Sequence, residues 1–242
     1  MQQSNGYIIG FAAALTVILG AILSFAAVKL KPIQKREIEL DTKKQILSAV
    51  MSTEGKPKTE LEKIYNSRIQ ALVVNYDGEE LTPEQYEKEK PEDINLTAQY
   101  KKKPEERFLP VFKFMKENSD TEVEFYILPM YGYGLWNYIW GYVAVKPDLN
   151  TIAGVSMDHV GETPGLGARI TDPEVLARYK DKKIYDPSGK LVSVEMLKGE
   201  GNKDLGEHEV DGMSGATLTA KGVNKMLETY FEGYSGFFKT VK

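Results

Sequence analysis

The sequence predicts an α+β fold, with a single N-terminal transmembrane helix followed by a domain built on a mostly antiparallel sheet and flanking helices. Three observations predict it. Residues 7–28 contain no charge, strand-like segments follow one another in the middle of the chain, and an amphipathic helix lies near its end. With 242 residues, of which 42% are apolar, the chain is long enough and apolar enough to bury a sizeable core.

The uncharged segment at residues 7–28 is long enough to cross a membrane, because an α-helix needs about 20 apolar residues to do so. It leaves residues 1–6 as a short N-terminal tail. A cleaved signal peptide and a buried core helix are the alternatives, but no Lys or Arg precedes the segment, which favours a retained anchor. The basic residues Lys29, Lys31, Lys35 and Arg36 follow it directly. Because basic residues are more frequent on the cytoplasmic side of a span, these residues favour a cytoplasmic location for the next domain. However, long domains translocate largely regardless of flanking charge.

Residues 29–70 are predicted to form a charged helical stalk, or two helices that pack against the domain. In it, Asp41 is expected to cap a helix that ends at Met51, and Thr59 and Glu62 are expected to form the capping box of a second helix. Residues 71–242 are predicted to form the main domain, with a solvated insertion rich in Glu, Lys and Pro at residues 79–107. Asp172 is expected to cap a helix that runs to about residue 182. Strands are predicted at residues 71–76, 108–115, 122–128, 135–145, 151–157 and 191–198.

The composition excludes several kinds of site. The absence of cysteine rules out disulfides, thiolate zinc sites and iron–sulfur clusters held by this chain. Two histidines are too few for a His-rich metal site, and a net charge of −4 argues against nucleic-acid binding. No paired carboxylates or base are positioned for proton abstraction, so the sequence predicts neither catalytic residues nor a metal site. Any redox chemistry has to be carried by a group that the chain holds.

The segment Asp211-Gly-Met-Ser-Gly-Ala-Thr217 leads into a helix with a continuous apolar face. Ser214 is expected to be its N-cap, so that Gly215, Ala216 and Thr217 are the first three helical residues. Their backbone N–H groups would lack intrahelical partners at the positive end of the helix dipole, which favours a bound phosphate. An ordinary capped helix remains the alternative. The apolar face consists of Val223, Met226, Leu227, Tyr230 and Phe231.

Two further segments have an unusual composition. In the loop from His159 to Arg169, a proline and two glycines enforce a tight backbone whose N–H groups are suited to the polar edge of a flat ligand, with Leu166 covering its face. The segment Tyr131-Gly-Tyr-Gly-Leu-Trp136 brings aromatic rings next to two glycines. Taken alone, a plain turn and aromatic packing within a sheet explain these segments equally well.

The sequence Asp-x-x-Ser-Gly-Ala-Thr closely resembles the flavinylation sequence to which a flavin transferase attaches FMN. Glu-Thr-Pro-Gly-Leu-Gly at residues 162–167 resembles a loop of the FMN-binding domain family. Together with the anchor and Gly-Tyr-Gly-Leu-Trp, in this order, these motifs resemble the C subunit of the Na⁺-translocating NADH:quinone oxidoreductases over nearly the whole chain. The G subunit of the Rnf electron-transport complex shares two of the motifs but generally lacks Gly-Leu-Trp, and it stays an alternative together with a cofactor-free anchored scaffold. Many relatives carry Thr where this chain has Ser214.

The resemblance implies that FMN is bound covalently, through a phosphoester, to Thr217, and that Asp211 and Ser214 help the transferase to recognise the site. It also implies a set of residues around the flavin: Ser214, Gly215, Ala216, Glu162, Thr163, Gly165, Leu166 and Trp136.

The role implied is that of an electron-transfer subunit within a sodium-pumping NADH:quinone oxidoreductase, not catalytic alone, which relays electrons between cofactors of neighbouring subunits. The implied partners are the other subunits, the flavin transferase and the lipid membrane. The resemblance places the chain in the bacterial inner membrane as a single-pass protein, with its soluble domain in the periplasm, against the local charge count.

Overall fold

The computed structural model describes residues 4–88 and 90–241. Its contacts divide the chain into two compact units, with the boundary after Thr42. Helix α1 runs from Asn5 to Ser48 and contains an 18-residue stretch with a mean hydropathy of 2.5, none of it buried, which is long and apolar enough to cross a membrane. The predicted long apolar helix is therefore confirmed. The separate helix expected to begin at Asp41 is wrong, because no turn-forming residue interrupts α1 there and Asp41 lies in its interior.

Helix α2, Lys58–Arg68, follows a short connection. Pro57 stands at its N-cap and no side chain caps it, so the capping box expected from Thr59 and Glu62 does not form. The helix begins before Thr59 because proline presets the backbone that enters a helix. Leu61 and Tyr65 of α2 are buried in one apolar cluster with the last turns of α1.

The predicted antiparallel sheet is confirmed. It has five strands, each paired with the next along the chain: β1 (Ile69–Val74), β2 (Leu109–Met115), β3 (Val123–Tyr133), β4 (Tyr138–Val145) and β5 (Ile152–His159). The strand predicted at residues 135–145 begins only at Tyr138, because residues 134–137 form the turn between β3 and β4.

Both faces of the sheet are covered, since successive side chains of a strand point to opposite faces. On β3, Leu128 and Met130 belong to the larger core cluster, whereas Ile127 belongs to the cluster of α1 and α2. The larger cluster also receives the apolar face of helix α6, Thr217–Gly233, and two phenylalanines of helix α7, Ser235–Val241. The domain therefore consists of a sheet between two helical layers.

The segment at residues 79–107 is not wholly solvated as expected. It contains helices α3 (Pro83–Tyr86) and α4 (Leu96–Tyr100) and two 3₁₀ turns, at Pro91–Asp93 and Pro104–Glu106. Tyr86 and Ile94 are buried together with Val73 of β1. These few apolar side chains are enough to attach the segment to the edge of the sheet.

Between β5 and α6 the chain is mostly irregular. A 3₁₀ turn at Gly167–Thr171 leads into the short helix α5, Pro173–Ala177, which Asp172 precedes without a side-chain cap. The helix predicted to reach residue 182 stops early, and Tyr179 beyond it is buried in the core. The strand predicted at residues 191–198 is reduced to β6, Glu195–Met196, because Ser193 has a positive φ of 63° that interrupts an extended chain. It pairs in parallel with β7, Glu209–Val210.

Candidate cofactor site

The start of α6 differs from the sequence-based expectation. The helix begins at Thr217, its N-cap is Ala216, and no side chain caps it. Gly215 has a φ of +73°, and the N–H of Ala216 donates to the carbonyl of Met213 at 3.2 Å, which makes residues 213–216 a turn. Ser214 is therefore not the N-cap, and Gly215 and Ala216 are not helical residues, because the left-handed glycine ends the turn before the helix starts.

Thr217 stands at this helix start as the first helical residue and is half-buried. Among the described residues, its hydroxyl makes no hydrogen bond. The first bond into the helix joins the N–H of Ala220 to the carbonyl of Ala216 at 2.9 Å. Within the described part of the chain, the N–H groups of Thr217, Leu218 and Thr219 have no acceptor. Unpaired donors and the positive dipole end suit an anionic group bound at this position.

The register of the sheet places two loops beside each other near one end. Tyr133 pairs with Tyr138 at the β3–β4 turn, and Ile139 pairs with His159 at the end of β5. The turn at residues 134–137 and the loop at residues 160–166 therefore leave the same edge of the sheet. Helix α6 reaches this edge because Gly222 lets its backbone come close to the carbonyl of Tyr133, a position that a Cβ would block.

Glu162 connects all three segments. The residue is only 4% exposed. One carboxylate oxygen accepts the backbone N–H of Trp136 at 3.0 Å, and the other accepts the hydroxyl of Thr219 at 2.6 Å. The N–H of Glu162 donates to Nδ1 of His159 at 3.2 Å. The carboxylate thus joins the β3–β4 turn, the loop after β5 and the first turn of α6.

Two glycines make room for this carboxylate. A Cβ on Gly134 would lie 2.9 Å from the carboxyl carbon of Glu162, and a Cβ on Gly167 would lie 2.5 Å from its second oxygen. Real side chains essentially never approach so closely. The glycines of the two predicted motifs therefore serve, in part, the burial of a charged group.

Exposed apolar side chains surround the place where Glu162 joins the three segments. Trp136 is 68% exposed, and Leu166 and Leu218 are exposed as well. Leu166 also packs over Gly215, since a Cβ there would lie 2.8 Å from one of its methyl groups. Exposed apolar groups beside unpaired N–H donors suit a flat ring system with a polar, anionic tail.

The loop at residues 163–168 is a tight turn, as its composition predicts. The carbonyl of Thr163 accepts the N–H groups of Leu166 and Ala168, each at 3.1 Å, and Gly165 has a φ of +75°. The side chain of Thr163 is exposed. The loop therefore carries Leu166 on a backbone fixed from within.

Asp211 is bound within its own loop. Its carboxylate accepts the backbone N–H groups of Gly201 and Asn202, each at 2.9 Å. Burial alone would raise the pKa of Asp211, but these N–H donors, the amide of Asn202 and the nearby Arg178 hold the pKa below its ordinary value. Ser214, by contrast, leaves its side chain exposed. Of the two residues expected to guide a transferase, Asp211 shapes the loop and Ser214 remains accessible.

Sequence reasoning missed the ion-pair cluster that holds this loop. Arg169 binds both oxygens of Glu200 at 2.8 and 2.7 Å, and Arg178 binds the same carboxylate at 3.0 Å. Arg178 also donates to the carbonyl of Gly212 at 2.5 Å, and Glu200 accepts the N–H of Ser214 at 3.4 Å. Hydrogen bonds from Arg169 and Arg178 lower the pKa of Glu200. The glycine-rich loop at residues 199–213 is dense in charge, but it contains Glu200 and neither arginine, so the sequence alone does not indicate the cluster.

Comparison with known proteins identifies a family model and relatives that agree with one another. The FMN-binding domain family matches residues 134–232. The C subunit of the Na⁺-translocating NADH-quinone reductase of Pseudomonas aeruginosa is 32% identical, over 100% of this chain and 97% of its own length. That of Neisseria meningitidis serogroup A is 33% identical, over 95% of this chain and 91% of its own.

Solved structures agree with these relatives. The crystal structure of the C subunit from Parabacteroides distasonis superposes with a TM-score of 0.73 at 36% identity, covering 86% of this chain and 96% of that one. The corresponding structure from Shewanella oneidensis gives a TM-score of 0.69 at 32% identity, covering 83% and 96%. The matched domain includes the β3–β4 turn, the loop after β5 and the start of α6.

Proposed function

The chain belongs to the family of C subunits of the Na⁺-translocating NADH-quinone reductases, and from this premise we propose that it carries one FMN, bound by a phosphoester to Thr217, and relays electrons between cofactors of neighbouring subunits. In this role it is one component of a translocase and does not catalyse quinone reduction alone.

The observation that carries the proposal is the hydroxyl of Thr217 at the start of α6. Its hydroxyl makes no hydrogen bond within the described part of the chain, and it stands as the first residue of α6. The N–H groups at this helix start have no acceptor among the described residues, so they are available to phosphate oxygens. The left-handed Gly215 turns the chain immediately before the helix, so that Thr217 is the first helical residue.

The chain's own residues would bind and orient the flavin. Leu166, Trp136 and Leu218 offer apolar cover to a ring, and the turn around Thr163 and Gly165 fixes the position of Leu166. Ser214 and Ala216 line the approach to Thr217. Glu162 holds the three segments in register through its hydrogen bonds, and any contact it makes with the flavin is an additional role. When bound, FMN supplies reversible uptake and release of electrons, and a covalent link keeps it from dissociating between them.

The proposed location rests on two arguments: α1 supports the membrane anchor, and the family resemblance supports the periplasmic side against the local charge count. The apolar stretch of this helix anchors the chain in the bacterial inner membrane as a single-pass protein, and the domain that follows lies in the periplasm. The partners are the other subunits of the complex, the lipid membrane, and a flavin transferase that uses Asp211 and Ser214 for recognition.

The attachment is tested by expressing the full-length chain in a host that supplies a flavin transferase. We expect flavin fluorescence to stay with the protein in a denaturing gel, and the intact mass to increase by that of an FMN group. Thr217→Val should abolish both signals, whereas Thr121→Val, at an exposed threonine far from α6 in sequence, should change neither. An unmodified wild-type mass from such a host would overturn the proposal and favour a cofactor-free anchored scaffold.

The orientation is tested separately, and the absence of native cysteine makes the test simple. Glu117→Cys introduces one thiol at an exposed position of the domain. A maleimide that does not cross membranes should label this thiol in cells whose outer membrane has been opened and whose inner membrane is intact. Labelling only after the inner membrane is broken would place the domain in the cytoplasm.

A further inference from the structure

An open groove lies on α1, at the end of the stretch that is long enough to cross a membrane. It has a volume of about 470 Å³, and all of its lining residues lie within residues 28–38 of this helix. Val28 and Ile38 are 70% and 67% exposed, so the apolar side chains at both ends of the groove face the surroundings. The lining consists of Val28, Lys31, Pro32, Gln34, Lys35 and Ile38.

The groove lies at the level where a bilayer changes from hydrocarbon to headgroups. The uncharged residues 7–28 make a helix of about 33 Å, close to the thickness of a hydrocarbon core. Lys31 and Lys35 follow Val28 on the same helix, with their backbones about 5 and 10 Å beyond it. Because the side chains of an α-helix lean toward its N-terminus, both lysines lean back toward the span and reach the level of the headgroups.

Lys31 and Lys35 place two positive charges on one face of α1. Residues four apart on a helix are neighbours, and like charges at this spacing destabilise the helix. Neither lysine makes an ion pair within the described part of the chain. An anion between the two ammonium groups would therefore replace a repulsion by two attractions.

The nearest carboxylates leave this charge in place. No Asp or Glu occurs in residues 1–36. Glu39, one turn after Lys35, is bound to Arg36 at 3.6 Å. Glu37 points to the other side of the helix from Lys35, since each residue turns the helix by about 100°, and Asp41 is almost two turns beyond Lys35. Glu39 is thus one anion beside three cations, and the groove keeps a positive charge.

The mixture of charged and apolar side chains indicates the kind of occupant. Apolar residues continue among the basic ones beyond the span, and Leu30 and Ile33 are exposed together with Ile38. A free phosphate would meet the two lysines but would gain nothing from Val28 below them. A phospholipid with a net negative headgroup offers a phosphate to the lysines and acyl chains to the apolar side chains, and basic residues directly beside a span attract such lipids.

We propose that this groove binds an anionic phospholipid. The lipid phosphate lies between the ammonium groups of Lys31 and Lys35, and the acyl chains lie along Val28 and the uncharged span. The amide of Gln34 can donate to or accept from the polar groups of the headgroup. The inference goes beyond flavin binding and requires that α1 cross a membrane. A bare Thr217 therefore leaves it standing, and its failure leaves the flavin proposal standing.

The first test measures the lipid selectivity of the full-length chain in detergent. Native mass spectrometry gives the affinity for phosphatidylglycerol, which is anionic, and for phosphatidylcholine, which has no net charge. We expect phosphatidylglycerol to bind more tightly by about tenfold or more, because each cation near an anionic headgroup contributes a factor of about five. Equal affinities for the two lipids would overturn the proposal and leave an acidic protein segment as the occupant.

Matched variants show whether the two lysines cause this selectivity. Lys31→Gln combined with Lys35→Gln removes both charges and should abolish the selectivity, whereas Lys31→Arg combined with Lys35→Arg should keep most of it. Lys221→Gln combined with Lys225→Gln changes the net charge equally, at the same four-residue spacing on α6, and should bind lipid as wild type does. A selectivity that the first pair leaves unchanged, or that the α6 pair reduces equally, would overturn the proposal.

The second test locates the headgroup. The chain has no cysteine, so Gln34→Cys, within the lining, and Ile33→Cys, exposed but outside the lining, each provide one site for a bimane fluorophore. In phosphatidylcholine vesicles, a small fraction of phosphatidylglycerol brominated near its headgroup should quench the label at position 34 several-fold more than the same fraction of brominated phosphatidylcholine. At position 33 the two lipids should quench about equally.

Two outcomes of this quenching test would overturn the proposal. Equal quenching by the two lipids at position 34 would show that no anionic headgroup is held in the groove. A preference for phosphatidylglycerol of the same size at both positions would show a diffuse attraction of the lysines to the membrane surface instead of a site between Lys31 and Lys35.

Discussion

The carboxylate of Glu162 accepts the hydroxyl of Thr219 at 2.6 Å, across 57 residues of sequence and in a buried environment. Thr219 lies two residues after Thr217, and the other oxygen of Glu162 accepts the N–H of Trp136. A single charged group thus fixes the aromatic turn relative to the residue proposed to carry the flavin. A buried carboxylate depends on such donors, because charge is costly to desolvate.

Removing the hydroxyl of Thr219 should therefore destabilise the protein. Thr219→Val keeps the shape of the side chain and takes one of the two side-chain hydrogen bonds from Glu162, which should cost about 2 kcal/mol, as for other hydrogen bonds to charged groups. Thr219→Ser keeps the hydroxyl and should lose far less. Thermal unfolding of the full-length chain in detergent measures the difference, and equal losses in the two variants would show that the bond contributes nothing.

The glycine beside this pair should not tolerate a side chain. Gly167→Ala places a methyl group 2.5 Å from an oxygen of Glu162 and should cost about 1–3 kcal/mol through forced displacement of the carboxylate. Gly161→Ala, in the same loop, meets nothing within 4 Å and serves as the control. Comparison of the two unfolding midpoints measures the effect, and a Gly167→Ala midpoint equal to that of Gly161→Ala would contradict the assigned crowding.

Local patterns predicted the sheet and missed the start of α6, for physical reasons. Most of the strands are short apolar segments rich in β-branched and aromatic residues, such as β2 and β4, and this signal is contained in the nearby sequence alone. The choice of N-cap depends on tertiary contacts: Glu200 holds the N–H of Ser214, and Gly215 turns left-handed, so the helix starts at Thr217. The preferences of residue types for the N-cap position take account of neither the hydrogen bond to Glu200 nor the left-handed turn.

The candidate site, too, could be predicted from the sequence only in part. Thr217, Leu166 and Trp136 lie in motifs that a resemblance could identify, and they remain predictions of flavin contact. The link through Glu162 could not be predicted, because its partner Thr219 is distant in sequence and lies at an ordinary helical position.

The cluster of Glu200 with Arg169 and Arg178 should make stability depend on pH in the acid range. The two guanidinium groups lower the pKa of Glu200 from its ordinary value of 4.5, so the folded state holds the carboxylate charged where the unfolded state takes up a proton. A lowered folded-state pKa stabilises the protein above the unfolded-state value, and this contribution is lost as pH falls through the folded-state value. Wild type should therefore exceed Glu200→Gln in melting temperature at pH 7, by a margin that shrinks below about pH 4.5.

Glu195→Gln provides the control for this profile, because Glu195 is exposed and makes no ion pair within the described part of the chain. Its melting temperature should follow that of wild type across the same pH range. A gap between wild type and Glu200→Gln that stays constant from pH 7 to pH 3 would show that the charge of Glu200 is not what stabilises the loop before Thr217.

The left-handed turn before Thr217 should matter for flavin loading more than for folding. Gly215→Ala forces a side chain into a φ of +73°, at a cost of about 1–2 kcal/mol, and also places its methyl group 2.8 Å from Leu166. Gly189→Ala imposes the same kind of backbone strain at a φ of +81°, but its methyl group meets nothing within 4 Å. Both variants should lose similar stability from strain. Only Gly215→Ala should also displace Leu166 and the approach to Thr217, and so lower the fraction of chains that carry flavin. The ratio of in-gel flavin fluorescence to protein, measured after expression with a transferase, separates the two effects. Equal loading of the two variants would mean that the geometry of Gly215 and Leu166 plays no part in attachment.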